Sequence, residues 1–141
     1  MPGATFFFFG TLMDGDVLAA VLGRALPDAR REAATVRGFR RVLVAGRDYP
    51  MLLPSAGGRV TGMLASGLDR GDIKRLRHYE GRRYTIAAVT ARTASGRTVK
   101  AALFACSPTL ATGTPWRLDL WRRRHKPNAL RRIAALMAGI T

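Results

Sequence analysis

Short runs of apolar and β-branched residues, bounded by glycine and proline, extend along most of the chain and predict β-strands. Gly10 closes the first run in a tight loop, and Ser95-Gly96 predicts the turn of an antiparallel hairpin. Breaks at Tyr49-Pro50 and Leu53-Pro54 and a turn at Gly57-Gly58 separate the second run from the third. The predicted strands cover residues 4–9, 35–45, 59–65, 83–94 and 97–106.

Apolar residues at helical spacing predict two helices among these strands, each with an acidic residue at its N-terminus. Asp14 or Asp16 can cap the first helix, which ends at Gly23. Asp69 can cap the second helix, and Asp72, three residues later, is the acidic member of a capping box. Five or six strands with two to three helices do not alternate as in a doubly wound sheet. We therefore predict an α+β fold, a small mixed β-barrel or curled sheet.

The second predicted helix carries an acid at an unusual position. Glu80 lies four residues beyond Leu76 and one before Gly81, at the end of the apolar stripe and in the last turn. A carboxylate there meets the unfavourable end of the helix dipole, and burial would raise its pKa further, as a general base requires. The alternative is a structural role, in which Glu80 pairs with Arg82 or Arg83 or reaches solvent.

The length and composition describe one soluble globular domain, covering residues 1–141, with 48% hydrophobic and 23% charged residues. Cys106 is the only cysteine, which excludes an internal disulfide and suggests a small buried hydrophobe in a reducing, cytoplasmic protein. No signal peptide or membrane-spanning stretch is predicted. His78 and His125 are far apart and form a weak ligand set, so we predict neither a metal nor another cofactor.

A basic extension from about residue 115 is predicted to be helical in two pieces that break near Pro127, with Asn128 capping the second. The net charge of +15 and the arginines around Trp116 and Trp121 would suit RNA or single-stranded DNA. We favour tryptophans packed on the sheet with arginines in solvent, and keep nucleic-acid binding as the weaker alternative. The apolar face of the second piece is Leu130, Ile133, Ala134 and Met137.

Four short motifs follow one another in the order seen in a known superfamily. They are the Phe-Phe-Gly-Thr-Leu of residues 8–12, the Tyr-Pro-Met-Leu-Leu-Pro of 49–54, the Val-Thr-Gly of 60–62 and the Leu-Arg-His-Tyr-Glu-Gly-Arg-Arg-Tyr of 76–84. Together they resemble the gamma-glutamylcyclotransferase-like superfamily, in the branch of gamma-glutamylamine cyclotransferases and plant avirulence-induced proteins. Two positions depart from that pattern, since Phe9 replaces a tyrosine and Arg77 replaces an aspartate.

The resemblance implies a small mixed barrel that converts a gamma-glutamyl amine or peptide to 5-oxoproline and releases the amine. The substrate's own α-amino group attacks its γ-carbonyl, so the protein needs no nucleophile of its own. The implied acid/base is Glu80, and the implied substrate-binding residues are Phe9, Gly10, Thr11, Leu12, Tyr49 and Tyr84. The loop at Gly10 could also be an ordinary turn, and the two tyrosines could be half-buried packing residues.

A catalytically inactive barrel that serves as a nucleic-acid or protein binding module is the alternative from a different functional class, since fold does not fix function. The acid at position 80 argues against it, because an inactive scaffold has the least need of a carboxyl group there. No membrane partner is expected.

Overall fold

The computed structural model describes residues 3–140, and within them six strands form one sheet. Hydrogen bonding runs in the order β3-β1-β5-β4-β2, and β2 pairs again with β3, so five strands close a barrel to which β6 adds at β2. Only β1 and β5 pair in parallel, which confirms the mixed barrel and the α+β class. The strands are β1 (Ala4–Phe8), β2 (Arg31–Val44), β3 (Pro50–Leu68), β4 (Thr85–Thr93), β5 (Thr98–Ala105) and β6 (Ala111–Pro115).

The apolar run in β1 is buried on both of its faces. Because successive side chains of a strand point to opposite sides, Phe7 and Phe9 enter the interior of the barrel while Phe6 and Phe8 face the helices. The barrel interior is otherwise filled by small and branched residues, including Val36, Val60, Leu64 and Leu103. A four-residue phenylalanine run is therefore what a strand between two hydrophobic layers requires.

Four α-helices occur in the described chain, one more than the upper limit expected, and they cover the outer face of β1. They are α1 (Gly15–Leu22), α2 (Arg70–Glu80), α3 (Leu118–Arg124) and α4 (Lys126–Met137). Asp14 caps α1, and Asp69 with Asp72 forms the predicted capping box of α2. Both C-terminal helices contribute to the core behind Phe6 and Phe8, through Trp121, Ala129, Ile133 and Met137.

The expected interruption between residues 45 and 59 was wrong, because β3 runs unbroken from Pro50 to Leu68. Pro50 stands at the first position of the strand, where a missing N–H is tolerated. Gly57 and Gly58 lie in a bulge of β3. Phe39 pairs with Pro54 and Arg37 pairs with Arg59, so four residues of β3 lie opposite one residue of β2. The long partner β2, which starts at Arg31 rather than at residue 35, holds this irregular segment in the sheet.

Four details of the C-terminal segment also differ from the sequence prediction. The strand β6 was missed, because its sequence, Ala-Thr-Gly-Thr-Pro, has little β propensity of its own and gains order by pairing with β2. The break between the last helices lies at His125, and Pro127 sits in the first turn of α4, where proline is well tolerated. Asn128 is therefore inside α4 and does not cap it, and Ala134 is exposed while Ala129 takes the buried position.

No helix in the part of the chain that the structure describes is long and apolar enough to cross a membrane.

Candidate active site

A cavity of about 1010 Å³ lies where the end of β1, the turn from β2 to β3, the end of α2 and the C-terminal helices meet. Its size is at the upper end of the range for small-molecule sites. The turn contributes Asp48, and the C-terminal segment contributes Trp116 and Trp121. The wall also includes all seven residues singled out from the sequence, namely Phe9, Gly10, Thr11, Leu12, Tyr49, Glu80 and Tyr84.

The two ends of α2 fix the position of Glu80. The capping box starts the helix at Asp69, and the completely buried Leu76 anchors its apolar face. The helix ends at Gly81, whose φ of 84° favours glycine, so the chain turns away directly after the acid. Glu80 is thus held at the C-terminus of α2 and faces the cavity.

The carboxyl group of Glu80 is half-buried and makes no hydrogen bond or ion pair with any residue between 3 and 140. Arg82 and Arg83 are exposed, and the ion pair considered from the sequence does not form. Burial raises the pKa of Glu80 to about 8. At neutral pH the group is therefore mostly a neutral acid, in equilibrium with a carboxylate that no protein cation stabilises.

Tyr79 is a site residue that the sequence reasoning missed. Its hydroxyl lies 2.6 Å from Oγ1 of Thr11 and joins α2 to the loop after β1, although 68 residues separate the two. Burial raises the pKa of Tyr79, and the nearby Glu80 raises it further, so the hydroxyl keeps its proton. The available signal was its place three residues after the buried Leu76, on the same side of the helix.

The loop from Gly10 to Leu12 combines packed side chains with unpaired backbone N–H groups. Residues 11–13 form one 3₁₀ turn, in which Met13 N–H donates to Gly10 O, while the N–H groups of Thr11 and Leu12 precede the first bond and find no backbone partner in the described chain. A Cβ atom on Gly10 would lie only 3.0–3.1 Å from the Pro50 ring, so the close approach of these two segments favours glycine. Leu12 is buried in the core behind β1.

Comparison with known proteins decides the family. A family model described as "Gamma-glutamyl cyclotransferase, AIG2-like" matches residues 6–123. The chain belongs to this family. AIG2-like protein A of Arabidopsis thaliana is 28% identical over 134 residues, which is 93% of this chain and 79% of that protein. AIG2-like protein B of the same plant is 25% identical over 134 residues, which is 93% of this chain and 76% of that protein.

Solved structures agree on the fold of this AIG2-like chain. An Arabidopsis thaliana protein superposes with a TM-score of 0.67 at 24% identity, over 95% of this chain and 90% of that one. A mouse AIG2-like protein gives 0.62 at 22% identity, over 81% and 85%. A structure titled gamma-glutamyl cyclotransferase gives 0.59 at 13% identity, over 74% of this chain and 66% of that one.

The two departures from the family pattern occupy different environments. The ring of Phe9 is buried in the barrel interior, and this residue meets the loop through its backbone. A tyrosine hydroxyl is thus missing from position 9, but the hydroxyl of Tyr79 contacts the same loop at Thr11. Arg77 is exposed in the last turn of α2, where a cation is favoured by the helix dipole.

Tyr49 and Tyr84 form the wall beside Glu80, with ring centroids 6.2 Å apart and planes tilted by 54°. Burial, together with the nearby Glu80, raises the pKa of Tyr84. Cys106 lies behind this pair and is half-buried rather than fully buried as expected, with its S–H 3.8 Å from Sδ of Met51. Burial raises the pKa of this thiol as well, so the wall around Glu80 holds protonated groups.

The side of the cavity formed by the C-terminal helices is basic and aromatic. Trp116 and Trp121 are buried, as we favoured, and Asp48 lies 3.6 Å from both His125 and Arg132. Arg117 and Arg124 of the C-terminal segment and Arg47 of the turn from β2 to β3 also line the cavity. Within residues 3–140, no group of three or more histidine, cysteine or acidic side chains has the arrangement of a metal site.

Proposed function

We propose that this member of the cyclotransferase family converts a gamma-glutamyl amine or gamma-glutamyl peptide to 5-oxoproline and releases the amine. The observation that carries the proposal is the unpartnered carboxyl group of Glu80 in the wall of the large cavity, with its pKa raised to about 8 by burial. An acid without a counter-ion adds nothing to the stability of the fold at neutral pH, whereas a proton-transfer group needs this tuning.

The reaction closes a five-membered ring inside the substrate. The α-amino nitrogen forms a bond to the γ-carbonyl carbon, and the bond from that carbon to the leaving nitrogen breaks. The attacking nitrogen loses two protons as it passes from an ammonium to the lactam N–H, and the leaving nitrogen gains two as it departs and becomes an ammonium. We assign these transfers to Glu80, which accepts one proton at a time as a carboxylate and donates it to the leaving nitrogen. After two such transfers Glu80 is again a carboxylate, and no co-reactant is consumed.

The raised pKa suits these two transfers. The proton of the α-ammonium passes to a carboxylate with a pKa of about 8 at a smaller cost in free energy than to one of ordinary pKa. A carboxylate at the ordinary value of 4.5 would hold a proton too weakly to take it from an ammonium. The remaining contribution is proximity, because the cavity holds the chain folded for ring closure.

We assign the substrate's carboxylate or its developing oxyanion to the loop of Gly10, Thr11 and Leu12. The unpaired N–H groups of Thr11 and Leu12 are donors of the kind that stabilise such oxygens. Phe9 takes part through its backbone, and Tyr49 and Tyr84 enclose the reacting atoms and restrict water.

The experiment is 5-oxoproline release from a panel of gamma-glutamyl amides, including gamma-glutamyl-ε-lysine and gamma-glutamyl amino acids. The wild-type protein should release 5-oxoproline from at least one of them. Glu80→Gln should lower kcat/KM by about 100- to 10,000-fold. The matched control is Glu32→Gln, which removes the chain's other glutamate, a half-buried residue paired with Arg97 away from the cavity, and should leave the rate unchanged.

Two results would contradict the proposal. A folded wild-type protein that releases no 5-oxoproline from any member of the panel would overturn the substrate assignment and favour a binding module. A Glu80→Gln variant that keeps the wild-type rate would overturn the assignment of the acid/base.

A further inference from the structure

Arg41 is a half-buried arginine near the C-terminal end of β2 that binds only backbone carbonyl groups. Its Nη1 donates to the carbonyl oxygen of Phe9 at 3.1 Å and to that of Thr61 at 3.0 Å. No carboxylate lies within ion-pair distance of it anywhere in residues 3–140. The side chain therefore joins Phe9, the residue just before the Gly10 loop, to Thr61 in β3.

This arrangement leaves a positive charge uncompensated beside the cavity. Burial lowers the pKa of Arg41, and its Nε is inaccessible to water and has no hydrogen-bond partner. The guanidinium carbon lies 5.9 Å from the centre of the Trp116 ring, which is part of the cavity wall. A half-buried cation without a carboxylate partner lowers the stability of the fold. We therefore look for the role of Arg41 in the adjacent cavity.

The bond to Phe9 fixes the orientation of the following peptide group. The C=O of Phe9 and the N–H of Gly10 belong to one trans peptide, so they point in opposite directions. Arg41 holds that carbonyl toward β2, and the Gly10 N–H is thereby held pointing away from β2, along the opposite edge of the peptide group. Rotation of this plane would move the first donor of the loop and reorient the two that follow.

We propose that Arg41 is a positioning residue, which orients the N–H groups of Gly10, Thr11 and Leu12 and favours a carboxylate bound to them. The inference rests on the proposed function of the same site. It assigns Arg41 to substrate binding through the loop, whereas proton transfer remains with Glu80. A shorter neutral side chain loses both the Nη1 group that donates to the two carbonyls and the charge.

The first test compares Arg41→Gln and Arg41→Lys with Arg40→Gln. Arg40 is the adjacent residue on the opposite face of β2, exposed and without a hydrogen bond or ion pair in the described chain. For the best substrate of the panel, Arg41→Gln should raise KM by roughly tenfold or more and change kcat by less than about threefold. Arg41→Lys keeps the charge but loses the guanidinium group. Its KM should lie between those of wild type and Arg41→Gln. Arg40→Gln should behave as wild type.

The second test does not depend on turnover. Amide NMR spectra should show the Gly10, Thr11 and Leu12 resonances displaced in Arg41→Gln and unchanged in Arg40→Gln. Added 5-oxoproline should shift these resonances in wild type, and Arg41→Gln should need roughly tenfold more of it. If Arg41→Gln does not fold, Arg41→Lys decides by the same readouts.

Equal KM values for Arg41→Gln and Arg40→Gln, or unchanged loop resonances, would overturn the positioning role. If the wild-type protein releases no 5-oxoproline, the proposed function fails, and the loop resonances of the ligand-free variants still decide whether Arg41 orients the loop.

Discussion

Asp14 and Glu80 are both carboxyl groups at helix ends, but their pKa shifts have opposite signs. Burial opposes the ionisation of Asp14, yet hydrogen bonds from Lys126, Arg122 and the Val17 N–H outweigh it, and the pKa of Asp14 is lowered. Glu80 has burial without partners, and its pKa is raised to about 8. Burial acts in the same direction on both acids, so it does not decide the sign of the pKa shift. The hydrogen-bond and ion-pair partners that the described residues supply to Asp14 but not to Glu80 decide it.

The helix ends reinforce this difference. Asp14 stands at the N-terminus of α1, where its Oδ1 accepts from the N–H groups of Asp16 and Val17 at 3.0 and 3.1 Å. Its Oδ2 binds Arg122 at 2.7 Å and Lys126 at 2.9 Å, which ties α1 to the C-terminal helices. Glu80 stands at the C-terminus of α2, where the dipole disfavours a negative charge.

Removal of the charge of Asp14 should cause the largest loss of stability among these acids. Asp14→Asn keeps a capping oxygen but leaves Arg122 and Lys126 without their shared carboxylate. We expect the free energy of unfolding at pH 7 to fall by about 2–4 kcal/mol. Urea unfolding checks this, with Asp16→Asn as the control, since Asp16 is exposed and its pair with Lys126 should contribute less than about 1 kcal/mol. Equal losses of unfolding free energy in Asp14→Asn and Asp16→Asn would show that the buried carboxylate of Asp14 stabilises the fold no more than an exposed one.

The pH dependence of the reaction should report Glu80 rather than Asp14. The carboxylate form of Glu80 increases as pH approaches its pKa of about 8, so kcat/KM for 5-oxoproline release should rise more than about tenfold between pH 6 and 8. Steady-state rates across this range provide the measurement. A profile that is flat from pH 6 to 8 would show that the reactive acid titrates below this range, as Asp14 does.

The stability effect of Glu80 should have the opposite sign to that of Asp14. The folded pKa of Glu80 lies above the ordinary value of 4.5, so the folded state binds the extra proton and its stability decreases as pH rises from about 4.5 through 8. Asp14, with a lowered pKa, loses its contribution as pH falls below its ordinary value of 3.8. Glu80→Gln should therefore stabilise the protein at pH 9, by at most about 5 kcal/mol, and by little at pH 4. A variant that is less stable than wild type at pH 9 would contradict this sign.

The smallest expected effect concerns the contact between α2 and the loop. Tyr79→Phe removes the hydroxyl that bonds Thr11 and should lower the free energy of unfolding by about 1 kcal/mol, with a rise of a few fold in KM. Thr11→Val and the double variant complete a double-mutant cycle. Additive effects would mean that the two hydroxyl groups do not act together.

The sequence was informative where the deciding forces are local. The caps of α1 and α2, the stop at Gly81 and the position of Glu80 follow from residues within one or two helical turns, and all were predicted. The long β3, the strand β6 and the partners of Asp14 were not, because they depend on pairing between distant parts of the chain. Lys126 lies 112 positions after Asp14 in the sequence, and no periodicity indicates such a contact.

The same distinction applies inside the cavity. The motifs of residues 8–12 and 76–84 supplied the loop and Glu80, and the structure brings them to one wall. Tyr79 and Arg41 act through contacts with residues far away in sequence, and neither has a local signature. The absence of a partner for Glu80 is likewise a tertiary property, since Arg82 and Arg83 stand close to it in sequence and turn to solvent.

The most direct test of Glu80 as the acid/base is the titration of its carboxyl carbon by ¹³C NMR, with Glu80→Gln used to assign the signal. We predict a single protonation step with a midpoint near pH 8. A midpoint between about pH 4 and 5 would show a solvated or paired carboxylate and would remove the basis for Glu80 as the acid/base of the reaction.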